Sequence, residues 1–247
     1  MNSPYILEET ENFAVVFKPE KMHCAPRNYN FNNNDPTNEP FNNTLLDWYR
    51  EHHGNTENID IIHRLDFETH GLVLFSKNEK SFAYFRDLQE SGGFIKEYSA
   101  VCSNFIPAEK NFSGFPPPPV LDTTQLSPEK PLVIESYFRP YGQGRKLVRP
   151  VIEGAIKKHK ETAKDKGGYY KTKIVSININ IFKVQITRGF RHQIRCHLCW
   201  AGYPIINDPL YSHGETTPAG ELSLRAHALF FTDPSGQKRE YRIDSFA

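Results

Sequence analysis

Two stretches of the sequence concentrate side chains that can do chemistry. The first, His63-Arg64-Leu65-Asp66-Phe67-Glu68-Thr69-His70-Gly71, runs directly into the apolar Leu72-Val73-Leu74-Phe75. Polar residues on the shoulder of a strand are presented by a rigid scaffold, and a carboxylate among them is a candidate nucleophile or base. Asp66 is that candidate; a turn or N-cap aspartate is the plainer reading of it. The second stretch, Gly189-Phe190-Arg191-His192-Gln193-Ile194-Arg195-Cys196-His197-Leu198, lies far downstream. A carboxylate in a closed cleft is driven toward its protonated form unless a cation stands beside it. Arg195 is the expected cation, because Arg–carboxylate pairs are the strong, charge-assisted kind. The reading is that one cleft brings Asp66 and the second stretch together.

Other chemistries fit less well. His192, Cys196, His197 and Cys199 are soft ligands within two helical turns, but Cys24 and Cys102 are isolated and no second cluster completes a zinc set. No metal is therefore expected. His63-Arg64-Leu65-Asp66 has the wrong spacing for a kinase catalytic loop, and neither a Gly-rich loop nor a P-loop is present, so no nucleotide cofactor is expected.

The elements that must position these residues follow from pattern. Phe13–Phe17 reads as a buried strand stopped by Lys18-Pro19, and Leu72–Lys77 as the strand behind the first stretch. Thr44–His53 has Leu45, Trp48 and Tyr49 at helical spacing. A second helix spans Glu79–Glu90, with Asn78 as N-cap, Phe82, Phe85 and Leu88 on its apolar face, and Ser91-Gly92-Gly93 as its stop. Ile95–Val101 is a strand with Lys96, Tyr98 and Ala100 on one face. Leu132–Tyr141 is another. Ile174–Phe182 alternates strictly and reads as one strand, which Lys183–Arg188 continues or pairs with. Phe190–Ala201 reads as a helix closed by Gly202 and Pro204. Ser223–Ile243 reads as a hairpin turning at Asp233-Pro234-Ser235-Gly236. Residues 28–43, rich in Asn, and 104–130, with four consecutive prolines, read as surface loops, and 145–170 shows no element. Strands outnumber helices without βαβ alternation. The expected class is α+β, with a mixed, mostly antiparallel central sheet, flanking helices and a cleft.

Charge is distributed unevenly. The net charge is +1, yet Arg139–Arg195 holds 15 Lys and Arg against 3 acids, while the rest of the chain holds 15 bases and 26 acids. That asymmetry suggests a polyanion-binding face; a solvated basic loop is the plainer reading, above all for 157–173. No apolar run approaches the roughly 20 residues of a membrane helix. Met1–Glu11 is polar and acidic, unlike a secretory signal, and four unevenly spaced cysteines fit a reduced, cytoplasmic setting.

The two stretches together resemble the RluA-type RNA pseudouridine synthases. His63-Arg64-Leu65-Asp66 with Thr69 and Gly71 is similar to that family's first signature. His192-Gln193-Ile194-Arg195 with His197-Leu198, Gly202, Pro204, Asp208 and Tyr211 is similar to its second, and Lys96-Glu97-Tyr98 stands where the family has Lys-x-Tyr. The resemblance runs from about Phe13 to about Pro234. It departs at Phe190-Arg191, where the arginine is displaced by one position, at His70 for a usual serine, and at Asn207 for a usual glycine. It implies the pseudouridine synthase fold, RNA (ribosomal or transfer) as partner, and no cofactor; a monomer is the expected state, which the sequence itself leaves open. It also implies a single catalytic domain over 1–247 without the S4-type domain that members often carry.

The implied reaction breaks the uridine N1–C1′ bond, turns the base and rejoins it through C5, with the C5 proton lost and N1 protonated. It is redox-neutral. The implied catalytic residues are Asp66, Tyr98 and Arg195, and the implied substrate contacts are His63, Arg64, Thr69, Lys96, Arg191, His192 and Gln193. Whether Asp66 attacks C1′ or removes a sugar proton is open. Tyr98 would stack on the base and help remove the C5 proton, against the plainer reading of a half-buried strand tyrosine. Arg64 would hold the space vacated by the flipped uridine, against a surface arginine pairing with Glu68. His63 reads as hydrogen-bonded at the strand shoulder rather than as a general base. A binding module that has kept the fold without the chemistry is the alternative.

Overall fold

The computed structural model describes residues 3–26, 44–53, 58–107, 114–127, 129–152, 169–211 and 220–246. The Asn-rich loop at 28–43 and residues 157–168 of the basic segment lie outside the described residues. In chain order the elements are β1 (Tyr5–Glu9), β2 (Phe13–Lys18), α1 (Leu45–His52), β3 (Asp60–Ile61), β4 (His70–Ser76), α2 (Glu79–Glu90), β5 (Ile95–Val101), β6 (Leu132–Tyr141), β7 (Leu147–Val151), β8 (Tyr170–Asn178), β9 (Ile181–Ile186), α3 (Gln193–Trp200), β10 (Leu224–Thr232) and β11 (Lys238–Arg242). The class is α+β, as expected. The chain divides into two compact units, residues 1–94 with 226–243, and residues 95–225 with 244–247.

In the first unit the strands run β1-β2-β4-β10, with β3 beside β4 and β11 beside β10. All six residues of β2 and all seven of β4 are buried. These two strands pair antiparallel from Phe13↔Ser76 to Lys18↔Gly71. Burial on both faces favours apolar residues, so both strands read as continuous apolar runs with polar residues only at their ends. Phe13, Val15, Leu72, Leu74, Phe85, Phe94 and Phe231 share one core, and Phe13, Phe85 and Phe231 meet edge to face at 5.4–5.9 Å. β1 was not expected. Its side chains are largely exposed; it is held by pairing to β2 and by the Tyr5 ring stacked on Phe17 at 4.8 Å, and its three apolar residues are too few to stand out in a polar segment.

Helix α1 starts at a capping box, in which Thr44 accepts from Asp47 N–H and the Asp47 carboxylate accepts from Thr44 N–H. Thr44→Ala is expected to cost about 1 kcal/mol, read as a lower urea midpoint with an unchanged slope. Helix α2 occupies the expected span, with Asn78 accepting from Ser81 N–H.

In the second unit the order is β5-β9-β8-β6-β7. The single strand expected over 174–182 is a hairpin: β8 and β9 pair at Asn178↔Ile181 around a turn at Ile179-Asn180. Ile179 has φ +54° and is 88% exposed. A two-residue turn preserves the alternation of apolar and polar residues, so period alone does not reveal it. The helix expected from Phe190 begins at Gln193. His192 adopts a left-handed φ of +56°, which breaks the helix, and Phe190 instead stacks on Phe138 at 5.1 Å. Strand β7 lies inside the segment where no element was expected; its residues pair with β6 from Tyr137↔Val151 to Tyr141↔Leu147.

Candidate active site

Asp66 sits in a tight turn between β3 and β4, closed by Thr69 N–H donating to the Asp66 carbonyl at 3.1 Å. The turn has to be followed at once by a strand. Gly71 makes this possible: its φ is +129°, and a Cβ there would lie 2.2 Å from the Ala226 carbonyl oxygen. The Asp66 side chain is half-buried, while Arg64 and Phe67 are exposed and Thr69 is buried. His63 is buried, accepts Leu74 N–H on Nε2 at 3.2 Å and meets Phe94 edge-on at 5.3 Å.

Behind the turn lies a group that the sequence reading did not single out. Lys18, at the end of β2, is fully buried, and its ammonium donates to the carbonyls of Pro19 at 2.8 Å, Met22 at 2.7 Å and Phe67 at 3.4 Å. Burial pushes its pKa down to about 8, against the opposing pull of Cys24, Asp66, Glu68 and Glu20. Lys18 thus places a positive charge beneath the Asp66 turn at neutral pH. A lysine at a strand end followed by proline was the available signal; it reads as a strand stop and resembles the Lys-Pro that ends the family's first strand, with no role given to the ammonium.

The second group centres on α3. Arg195 is buried and grips Asp208 with two bonds of 2.8 Å, from Nε and Nη2, both side chains being fully buried. Asp208 in turn accepts the Leu210 and Tyr211 N–H groups at 2.8 and 3.1 Å. The Tyr211 hydroxyl accepts Val148 N–H and donates to Val148 O, and it lies 3.3 Å from His192 Nδ1. The Tyr211 ring faces the Arg195 guanidinium at 5.7 Å. A buried arginine charge requires this degree of satisfaction. Asp208 as its partner was not foreseen from sequence, although both residues belong to the same signature.

The rest of α3 is anchored through neutral groups. His197 bridges Ser136 Oγ at 2.9 Å and Thr172 Oγ1 at 2.8 Å, and burial drives its pKa down to about 3, so the ring is uncharged. Gln193 is buried and spends its amide on Phe190 N–H, Lys171 O and Thr172 Oγ1. Arg191 is exposed, and its Nη2 donates to the carbonyls of Arg145 and Leu147. On β5, Tyr98 and Lys96 are buried on one face, with the Lys96 ammonium donating to Thr187 O at 2.8 Å. Among the described residues no group of three or more His, Cys, Asp or Glu is arranged to hold a metal ion. The structure thus brings Arg64, Asp66 and Thr69 into one turn of the first unit. It brings His192, Arg195, Asp208 and Tyr211 into one network of the second.

Burial pushes Lys96 down to about 7. With Lys18 near 8 and Lys96 near 7, both below the ordinary lysine value, the unfolded chain binds protons that the folded chain has lost. Stability is therefore expected to rise by about 1 kcal/mol from pH 7 to 8, a window that stays below the ordinary cysteine value. Urea unfolding across that range checks this, and Lys96→Met should flatten the slope.

Residues 12–200 match the family model for RNA pseudouridylate synthase. The chain belongs to that family. Relatives carry the same description at modest identity. An uncharacterized RNA pseudouridine synthase of Helicobacter pylori is 27% identical over 221 residues, covering 88% of this chain and 60% of its own length. A tRNA pseudouridine synthase C of Haemophilus ducreyi is 26% identical over 180 residues, covering 70% of this chain and 66% of its own length. The chain spans about 57–65% of the length of the Helicobacter pylori relatives it matches. In fold it is similar to human RNA pseudouridylate synthase domain containing 1, with a TM-score of 0.61 at 18% identity over 98% of this chain and 84% of that one.

Within the family pattern, the Asn207 departure has a physical reading. Its φ is +61°, a left-handed conformation that glycine adopts freely and asparagine tolerates best among the rest, and its side-chain amide also donates to Glu221 O at 3.1 Å. Asparagine there preserves the turn that carries Asp208. His70 is buried at the start of β4.

Proposed function

We propose that the protein converts specific uridines in ribosomal or transfer RNA to pseudouridine, with Asp66 as nucleophile on a flipped-out uridine and with Tyr98 and Arg195 as the other catalytic residues. The observation that carries this reading is a half-buried carboxylate on a turn closed by Thr69 and underlain by the buried cation Lys18, in a chain of the pseudouridylate synthase family. In the proposed reaction the Asp66 carboxylate acts on the sugar as the N1–C1′ bond breaks. The base turns, C1′ bonds to C5, the C5 proton leaves and N1 gains a proton. Tyr98 stacks on the base and helps remove the C5 proton. Arg64, exposed two residues before Asp66, fills the space the uridine vacates, and exposed Lys171 and Lys173 on β8 contact phosphates. No cofactor or nucleotide takes part. The protein acts as a monomer, and four free, buried cysteines support a cytoplasmic setting.

The test uses purified protein and total RNA lacking pseudouridine, without added metal or nucleotide, with an Asp66→Asn control. Pseudouridine at defined positions with wild type alone supports the reading and names the RNA. RNA binding with no pseudouridine in any RNA class would replace it with the binding-module reading.

A further inference from the structure

Phe67 directly follows Asp66, yet it is 39% exposed, and its ring pairs with that of exposed His23 at 4.6 Å and 38°. Scattered surface aromatics need no explanation, but both of these residues project from fixed backbone. The Phe67 carbonyl is held by the Lys18 ammonium. On the other side of Asp66, Leu65 N–H donates to Cys24 Sγ at 3.1 Å, and the Cys24 thiol donates back to Leu65 O at 3.5 Å. The His23 carbonyl accepts Leu45 N–H at 2.9 Å, and His23 bridges Thr44 in parallel. The segment from Lys18 to Cys24 therefore clamps both neighbours of Asp66 and turns an aromatic pair outward beside the carboxylate. Aromatic surface that is exposed and already ordered loses little freedom on binding a flat ligand.

We propose that His23 and Phe67 form a stacking platform for the nucleobase adjoining the target uridine. The inference deepens the RNA reading above and rests on it. Flipping a uridine removes a stacking partner from each of its two neighbours; Arg64 faces one of them, and an aromatic ring one residue from the acting carboxylate supplies a partner to the other, whatever its base. The platform therefore fixes the substrate strand without reading its sequence, while Asp66 acts on the flipped residue.

The probe is a stem-loop RNA whose loop uridine is flanked by 2-aminopurine, titrated with the Asp66→Asn protein so that no turnover intervenes. Stacking should quench the 2-aminopurine fluorescence. Adding Phe67→Leu, which keeps apolar bulk, should abolish most of the quench and weaken binding about 10-fold; Phe67→Trp should retain both, and His23→Ala should fall between. An unchanged unfolding midpoint in Phe67→Leu separates this from loss of fold. Equal quenching and affinity in Phe67→Leu, or no quenching with the native ring, would overturn the platform. Because this readout needs no catalysis, a wild-type protein that forms no pseudouridine would defeat the proposed function while the quench still decides the platform.

Discussion

Asp66→Asn is expected to lower the rate of pseudouridine formation by at least about a thousandfold, equivalent to about 4 kcal/mol in the barrier. The substitution keeps shape and removes the charge and the nucleophilic oxygen pair. The turn should survive it, since the turn is closed by the Asp66 carbonyl rather than by its carboxylate. The side chain is half-buried, so the unfolding free energy should change by no more than about 1 kcal/mol. RNA affinity should stay within a few-fold, because phosphate contacts dominate it. Single-turnover pseudouridine assays with matched binding titrations separate these effects. A variant with near-native turnover would remove Asp66 from the chemistry.

The second large effect is on stability. Asp208→Ala is expected to destabilise the fold by about 3–5 kcal/mol, because it leaves the Arg195 charge buried and uncompensated by its bidentate partner. It also strips the acceptor from Leu210 and Tyr211 N–H. For a chain of this size that corresponds to a fall in Tm of about 6–20 °C. Asp208→Asn, which keeps an acceptor for the two N–H groups, should cost less. An Arg195→Met/Asp208→Leu double variant should recover much of the stability, since apolar replacement of a buried pair is often neutral, yet remain inactive if Arg195 is catalytic. A Tm within 2 °C of wild type for Asp208→Ala, as judged by calorimetry, would show that the pair is energetically incidental.

Much of the scaffold was legible in the sequence. β2, α2, β5, β6 and the closing hairpin fell close to their expected spans because each carries its own local signal: a continuous apolar run, a cap, a Gly stop or a Pro-Ser-Gly turn. The family and the Asp66 candidate were legible because signature residues are contiguous in sequence. What sequence did not reveal depends on backbone conformation and on partners distant in the chain. The left-handed φ of His192 shortens α3, and the turn at Ile179 splits one alternating run into two strands. The exposed edge strand β1 lacks the continuous apolar run that marks β2. The role of Lys18 depends on three carbonyls brought together around one ammonium, and that of Asp208 on a guanidinium 13 residues away. Residue type and spacing determined what chemistry the chain can present. The tertiary structure decided which charges are buried against which partners, because burial and hydrogen-bond geometry exist only after distant segments have met.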